Sequence, residues 1–80
     1  MFHKIEKIVP LQDYKLSISF SEGITKIYDV KKCFDAIEEF KIFIDHPQEF
    51  YNVSVDIGGN GVVWNDDLDL SSEELWENGI

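Results

Sequence analysis

Polar and apolar residues alternate over Lys15-Leu16-Ser17-Ile18-Ser19-Phe20, which predicts a half-buried strand with Leu16, Ile18 and Phe20 facing inward. Ile5 to Val9 reads as a strand before it, ended by Pro10 and Asp13, since Pro has no ladder donor and Asp favours turns. Ser21-Glu22-Gly23 is a short turn in which Gly can take a positive φ. Ile24-Thr25-Lys26-Ile27-Tyr28 returns as a strand rich in β-branched residues. The three segments predict an antiparallel meander. The period then changes. Asp29 is placed to cap a helix whose apolar positions are Val30, Cys33, Phe34 and Ile37. That helix either continues through Phe40 to Ile44 or stops near Glu39, and Pro47 breaks the chain soon after. Asp45 to Phe50 reads as one short capped turn that buries Phe50.

Val53-Ser54-Val55-Asp56-Ile57 alternates again and predicts a fourth strand. Gly58-Gly59-Asn60-Gly61 is the strongest turn signal in the chain, and Val62-Val63-Trp64 returns from it, so the pair should be a hairpin. Trp64 belongs in the core or at its rim. Ser71-Ser72-Glu73-Glu74 matches the capping box, in which the Ser71 hydroxyl accepts the N–H of Glu74 and the Glu74 carboxylate reaches back to Ser71. Leu70 and Leu75 have the hydrophobic-staple spacing around that cap. Glu73 and Glu74 lie at the positive end of the helix dipole, and Gly79 is a C-terminal stop. A short helix from about Ser72 to Glu77 or Asn78 follows. The predicted fold class is α+β: a small antiparallel sheet, made of a three-stranded meander plus a β-hairpin, with one central helix and a short C-terminal helix.

Composition narrows this to one small domain over residues 1–80. The 6 Phe, 3 Tyr and 2 Trp, within 44% hydrophobic residues, are too many for a disordered acidic tail. A chain this short buries roughly 60% of its unfolded surface, enough for one thin core. No apolar stretch approaches the roughly 20 residues that span a bilayer, and the charged N-terminus lacks the apolar run of a signal peptide. One cysteine, Cys33, makes no internal disulfide and no zinc site, so a reducing cytoplasm is the expected compartment. Seven basic against 16 acidic residues give a net charge of −9. That charge opposes direct nucleic-acid contact and binding to anionic membranes. It suits a basic protein partner, and it also suits plain solubility.

Candidate chemistry is sparse. Asn65, Asp66, Asp67 and Asp69 offer oxygen ligands, but a calcium loop starting at Asn65 would have Leu70 in place of its Gly and Trp76 in place of its closing Glu. A solvated turn ahead of the capped helix is the expectation, with no metal. Gly58-Gly59-Asn60-Gly61 lies between strands, where no helix follows to hold a phosphate. Cys33 lies on an apolar helix face, and nothing links it to His3 or His46, so no catalytic residue and no cofactor are expected. Glu38-Glu39 and Glu73-Glu74 are adjacent on helices and point apart, as solvated acids do. Trp76 has two open readings, a cap on the core edge or part of an exposed partner surface with other aromatics such as Tyr14 and Tyr51.

One further pattern runs through the chain. Ile8-Val9-Pro10-Leu11 is followed by Tyr14-Lys15-Leu16, Gly23 and Tyr28-Asp29-Val30. Phe50, Val53 and Gly58-Gly59 then lead to Trp64-Asn65-Asp66-Asp67-Leu68-Asp69-Leu70 and Glu74-Leu75-Trp76. Together these resemble a family of small bacterial domains of unknown function, numbered 2442, most specifically from Trp64 to Leu75. The resemblance implies a small α+β domain found alone or ahead of a helix-turn-helix domain. It also implies a gene often paired with that of another small protein, much as toxins and antitoxins are paired. It brings no catalytic residues. With Ile80 as the last residue, no DNA-binding domain is expected to follow. Trp64, Asp69, Leu70, Ser71, Glu74 and Leu75 are read as structural grammar, and Trp64, Asn65, Asp66, Asp67 and Trp76 as candidate binding residues. The leading functional expectation is a non-enzymatic protein-interaction module, the acidic antitoxin-like partner of a small basic protein. A ligand-sensing regulatory domain is the alternative, and an enzyme the remotest. A homodimer through an exposed edge strand is a further expectation.

Overall fold

Leu16, Ile18 and Phe20 are all buried, and the strand they define is the middle of a three-stranded sheet. The computed structural model describes residues 2–80. β1 (Ile5–Leu11) pairs antiparallel with β2 (Lys15–Phe20), which pairs antiparallel with β3 (Thr25–Asp29). The meander is therefore as expected, except that β1 runs on through Pro10. Ile27 uses its N–H and C=O on Ile80, at 3.1 and 2.9 Å. By the alternation of an antiparallel ladder, Ser17 then turns to Val9, and the nitrogen of Pro10 faces off the outer edge of β1, where no donor is needed. The turn between β1 and β2 places Asp13 and Tyr14 in the left-handed region, at φ 62° and 58°. Asp adopts it readily; Tyr14 is held there by its hydroxyl, which donates to the carbonyl of Phe43 at 2.8 Å.

The single central helix is not formed. α1 (Lys32–Ala36) ends at Ile37, whose backbone is extended, and a 3-10 turn over Glu38–Lys41 leads into α2 (Ile42–Asp45). One straight helix would carry Cys33, Ile37, Phe40 and Ile44 on one face. Instead Ile37 and Ile44 are exposed, while Phe40 and Phe43 are both fully buried. Tertiary packing of the aromatic rings overrides the local period. Asp29 accepts a backbone N–H, from Lys31 at 3.0 Å, but it does so ahead of the helix, whose N-cap is Lys31. The Pro47–Asn52 turn buries Phe50, as its pattern predicts.

The predicted hairpin is part of a second three-stranded antiparallel sheet, in the order β4 (Ser54–Val55), β5 (Gly61–Asn65) and β6 (Leu68–Ser71). β4 is shorter than its pattern because Asp56 accepts the N–H of Ile57 at 2.8 Å and opens a 3-10 turn, leaving Ile57 in solvent. Gly59 in that turn is buried with φ +72°, and a Cβ there would stand 2.6 Å from the carbonyl oxygen of Ile5. Only glycine lets the turn sit against the start of β1. The solvated turn expected over Asn65–Asp69 gives way to β6 from Leu68 onward. Its Leu68 and Leu70 are buried while Asp69 and Ser71 are exposed, so the acids mask a genuine alternation. α3 (Ser72–Asn78) follows at once and closes through the N–H of Gly79 on Leu75 O at 3.0 Å. The α+β class stands, with two small sheets and a few short helices around one aromatic core. No helix among the described residues is long and apolar enough to cross a membrane.

Candidate functional site

Trp64, the penultimate residue of β5, is half-buried, with its ring edge-on to Phe40 at 5.6 Å and tilted against Phe43 at 5.4 Å. Its indole N–H donates to the carbonyl of Phe50 at 2.9 Å, tying the second sheet to the Pro47–Asn52 turn. The next residues form the β5–β6 turn. The Asn65 side chain accepts the N–H of Asp67 at 2.8 Å, and Asn65, Asp66 and Asp67 are all exposed. The Asn65 carbonyl therefore serves a local turn, as Asx residues do.

Trp76 lies in a different aromatic cluster. His3 stacks on it at 3.6 Å with an interplanar angle of 5°, and Phe20 meets it edge-on at 5.0 Å. The Lys26 ammonium stands 4.4 Å from its ring and donates to its carbonyl. His3 also contacts Glu22. Trp76 thus packs, half-buried, on the edge of the first sheet. Among the described residues the two tryptophans share no ring neighbour.

The capping residues converge on a third place. The Ser71 hydroxyl accepts the N–H of Glu74 at 3.1 Å, the expected first half of the capping box. The second half is absent: the Glu74 carboxylate accepts from the Tyr28 hydroxyl at 2.8 Å instead. That hydroxyl also lies 3.3 Å from Cys33 Sγ, so β3, α1 and α3 meet in one polar cluster. Burial, with the Cys33 and Glu74 contacts, raises the Tyr28 pKa, and burial raises that of the Cys33 thiol. Both groups thus keep their protons near neutral pH, and Cys33 is a poor nucleophile there. Replacing Ser71 by Ala should cost about 0.5–2 kcal/mol in a urea titration, because one helix N–H loses its acceptor. A loss below that range would mean that the cap adds nothing to α3.

The cluster forms the floor of an open groove of about 370 Å³ between β6 and α1. Asp69 and Glu74 bring carboxylates to it, Ala36 and Ile37 an apolar wall, and Lys32 a cation. The Lys32 ammonium is held on the carbonyl of Asn78 at 3.1 Å, 5.0 Å from the Tyr28 ring. The charge of the chain is divided along its length. Residues 1–32 carry six lysines against four acids, and residues 33–80 one lysine against twelve. Exposed large apolar side chains lie in both parts, Phe2, Val9 and Ile24 in the first and Ile37, Ile42, Ile44, Tyr51, Ile57 and Ile80 in the acidic one.

Residues 5–80 match the family described as "Protein of unknown function (DUF2442)". The chain belongs to this family. A solved structure with the same fold is that of NE0471 from Nitrosomonas europaea ATCC 19718, a protein provisionally named as DNA-binding. It is 23% identical with a TM-score of 0.80, and the alignment covers 98% of this chain and 49% of that one. This DUF2442 chain thus spans about half the length of the Nitrosomonas protein. No curated protein matches it. The stretch from Trp64 to Leu75, the most specific part of the family resemblance, divides in the structure into the Trp64 anchor, the exposed Asn65–Asp67 tip and the β6–α3 side of the groove. Tyr28 enters the family pattern but is given no role there, and Lys32 escapes a reading of the sequence by motif. The available signal for Tyr28 is its place on an inward-facing strand, where a phenol needs a partner for its hydroxyl.

Proposed function

We propose that this domain is a non-catalytic protein-interaction module that docks a basic protein partner on its acidic part. The observation that carries this reading is the division of charge, one lysine against twelve acids after residue 32, with exposed Ile37, Ile42, Ile44 and Tyr51 in the same part. A field of one sign steers an oppositely charged partner and raises its association rate, and exposed apolar groups supply affinity once it has docked. The Asn65–Asp67 tip adds to that field. The name of the Nitrosomonas protein raises direct DNA contact as a competing reading. Here Lys26, Lys31 and Lys32 are already engaged with Trp76, Asp13 and Asn78, which leaves three of the six lysines of the basic part, Lys4, Lys7 and Lys15, for phosphate. The test is to express the tagged chain in its native cells and recover it at low and high salt. A stoichiometric basic protein, retained at low salt and associating more slowly as salt rises, is the expected result. Recovery of the chain alone, or a partner whose rate ignores salt, would count against the reading.

A ligand-sensing regulatory role is the second reading, favoured by the groove over Tyr28. It predicts a rise in melting temperature with some compound of a metabolite screen, and flat curves throughout would remove it.

A further inference from the structure

We infer that the partner docks by adding an extended, lysine- or arginine-bearing segment to the free edge of β6. This rests on the interaction reading above and states where and how the partner binds. β6 has a strand neighbour on one side only. The direction of its groups is fixed by two bonds at the start of the sheet. Asp56 N–H donates to Gly61 O at 2.9 Å, and Ser72 N–H to Asn60 O at 2.8 Å. In an antiparallel ladder these alternate, so Gly61 and Val63 face β4, while Val62 and Leu70 face each other. Asp69 therefore directs its N–H and C=O, and Ser71 its N–H, away from β5. The Ser71 C=O, as the N-cap carbonyl, takes the first bond of α3, which leaves the N–H and C=O of Asp69 and the N–H of Ser71 open at the edge. The Ser71 N–H is the group that a complete capping box would cover, and Glu74 leaves it open by bonding Tyr28.

The other edges are less available. Ile80 occupies the middle of β3, β1 lies alongside β4, and β4 has only two residues. Beside β6 the groove supplies room for an added strand, with Ala36 and Ile37 across from the edge. It also supplies charge complementarity. A side chain directly opposite Asp69 in an added strand stands about 5 Å from it, and opposite charges favour such a pair. Glu74, whose second carboxylate oxygen makes no hydrogen bond among the described residues, lies next to that position. Main-chain pairing would then give affinity and the basic side chain specificity.

The probe is an end-blocked heptapeptide of alternating lysine and valine, titrated into the isotope-labelled full chain and followed by backbone amide shifts. The expected result is a set of shifts centred on Asp69 and Ser71, slowed hydrogen exchange at those two amides, and no binding of the glutamate–valine analogue. Asp69→Pro removes an outward N–H without touching the β5 ladder, so it should keep the fold and weaken binding by about tenfold or more. Should that variant not fold, the wild-type chain with a peptide N-methylated at alternate residues asks the same question, and methylation in one of the two phases should abolish binding. The inference is overturned by shifts centred on Ile42, Ile44 and Tyr51, by indifference to methylation in both phases, by equal binding of the glutamate peptide, or by no shift at about 1 mM peptide. A native partner retained in full by folded Asp69→Pro overturns the edge while leaving the interaction reading intact. A wild-type chain that recovers no partner and binds no peptide removes both.

Discussion

Trp64→Ala is expected to lower stability by about 3–5 kcal/mol, the range for deleting a large aromatic from a packed site. The ring closes a cluster with Phe40, Phe43 and Phe50, each within 6.0 Å between centroids, and all three of those rings are buried. Truncation would open a cavity where the second sheet meets the α1–α2 segment, and would leave the Phe50 carbonyl without its indole donor. An 80-residue domain has roughly 4–12 kcal/mol in total, so the variant should be close to unfolding at room temperature. Urea denaturation followed by circular dichroism measures the loss. Trp64→Phe keeps most of the packing and removes only the donor, so about 1–2 kcal/mol is expected. This pair also separates two roles for a residue that the sequence offers both as a structural anchor and as a binding residue. If Trp64 is an anchor alone, Trp64→Phe binds a partner normally while melting earlier. A Trp64→Ala loss below about 1 kcal/mol would remove the anchor role.

The contrast between legible and hidden parts of the fold follows from what each local pattern encodes. Lys15–Phe20 has one dry face and one wet face, and a period of two records that directly, so Leu16, Ile18 and Phe20 are read correctly. The same period is present in Leu68-Asp69-Leu70-Ser71, yet Asp66, Asp67 and Asp69 give the stretch the composition of a loop, and composition conceals β6. Between Asp29 and Phe50 the failure is of another kind. The residues fit a helix, but burying Phe40, Phe43 and Phe50 against Trp64 requires three changes of direction, which no local pattern contains. The groove was illegible for the same reason. Ser71 and Glu74 announce a capped helix, and half of that cap forms. What diverts Glu74 is a tyrosine 46 positions earlier, brought close only when β3 and α3 pack. Its choice of partner leaves the Ser71 N–H at the open edge.

That diversion gives the second large effect. Tyr28→Phe removes the donor to Glu74 and the neighbour of Cys33, and should cost about 1–3 kcal/mol at neutral pH, because a half-buried carboxylate is left short of a hydrogen bond. The cost should then shrink as pH rises. Burial, reinforced by the contacts with Cys33 and Glu74, raises the folded-state pKa of Tyr28 above its ordinary value of 10.0. A raised folded pKa means that the folded chain keeps a proton which the unfolded chain releases, so this contribution is full below about pH 10 and is lost as pH climbs beyond it. Each such group lowers stability by about 1.4 kcal/mol per pH unit above its unfolded pKa. Cys33, raised from 9.0 chiefly by burial, begins the decline first, and Tyr28 steepens it. Urea midpoints of the wild type and Tyr28→Phe should therefore lie well apart at neutral pH and converge above about pH 10, where only the wild type has a buried phenol to lose. Cys33→Ala, which lacks the thiol, should remove the earlier part of the decline. Curves that stay parallel through the alkaline range would show that the Tyr28 proton is not held by the fold, and the polar cluster beneath the groove would lose its physical basis.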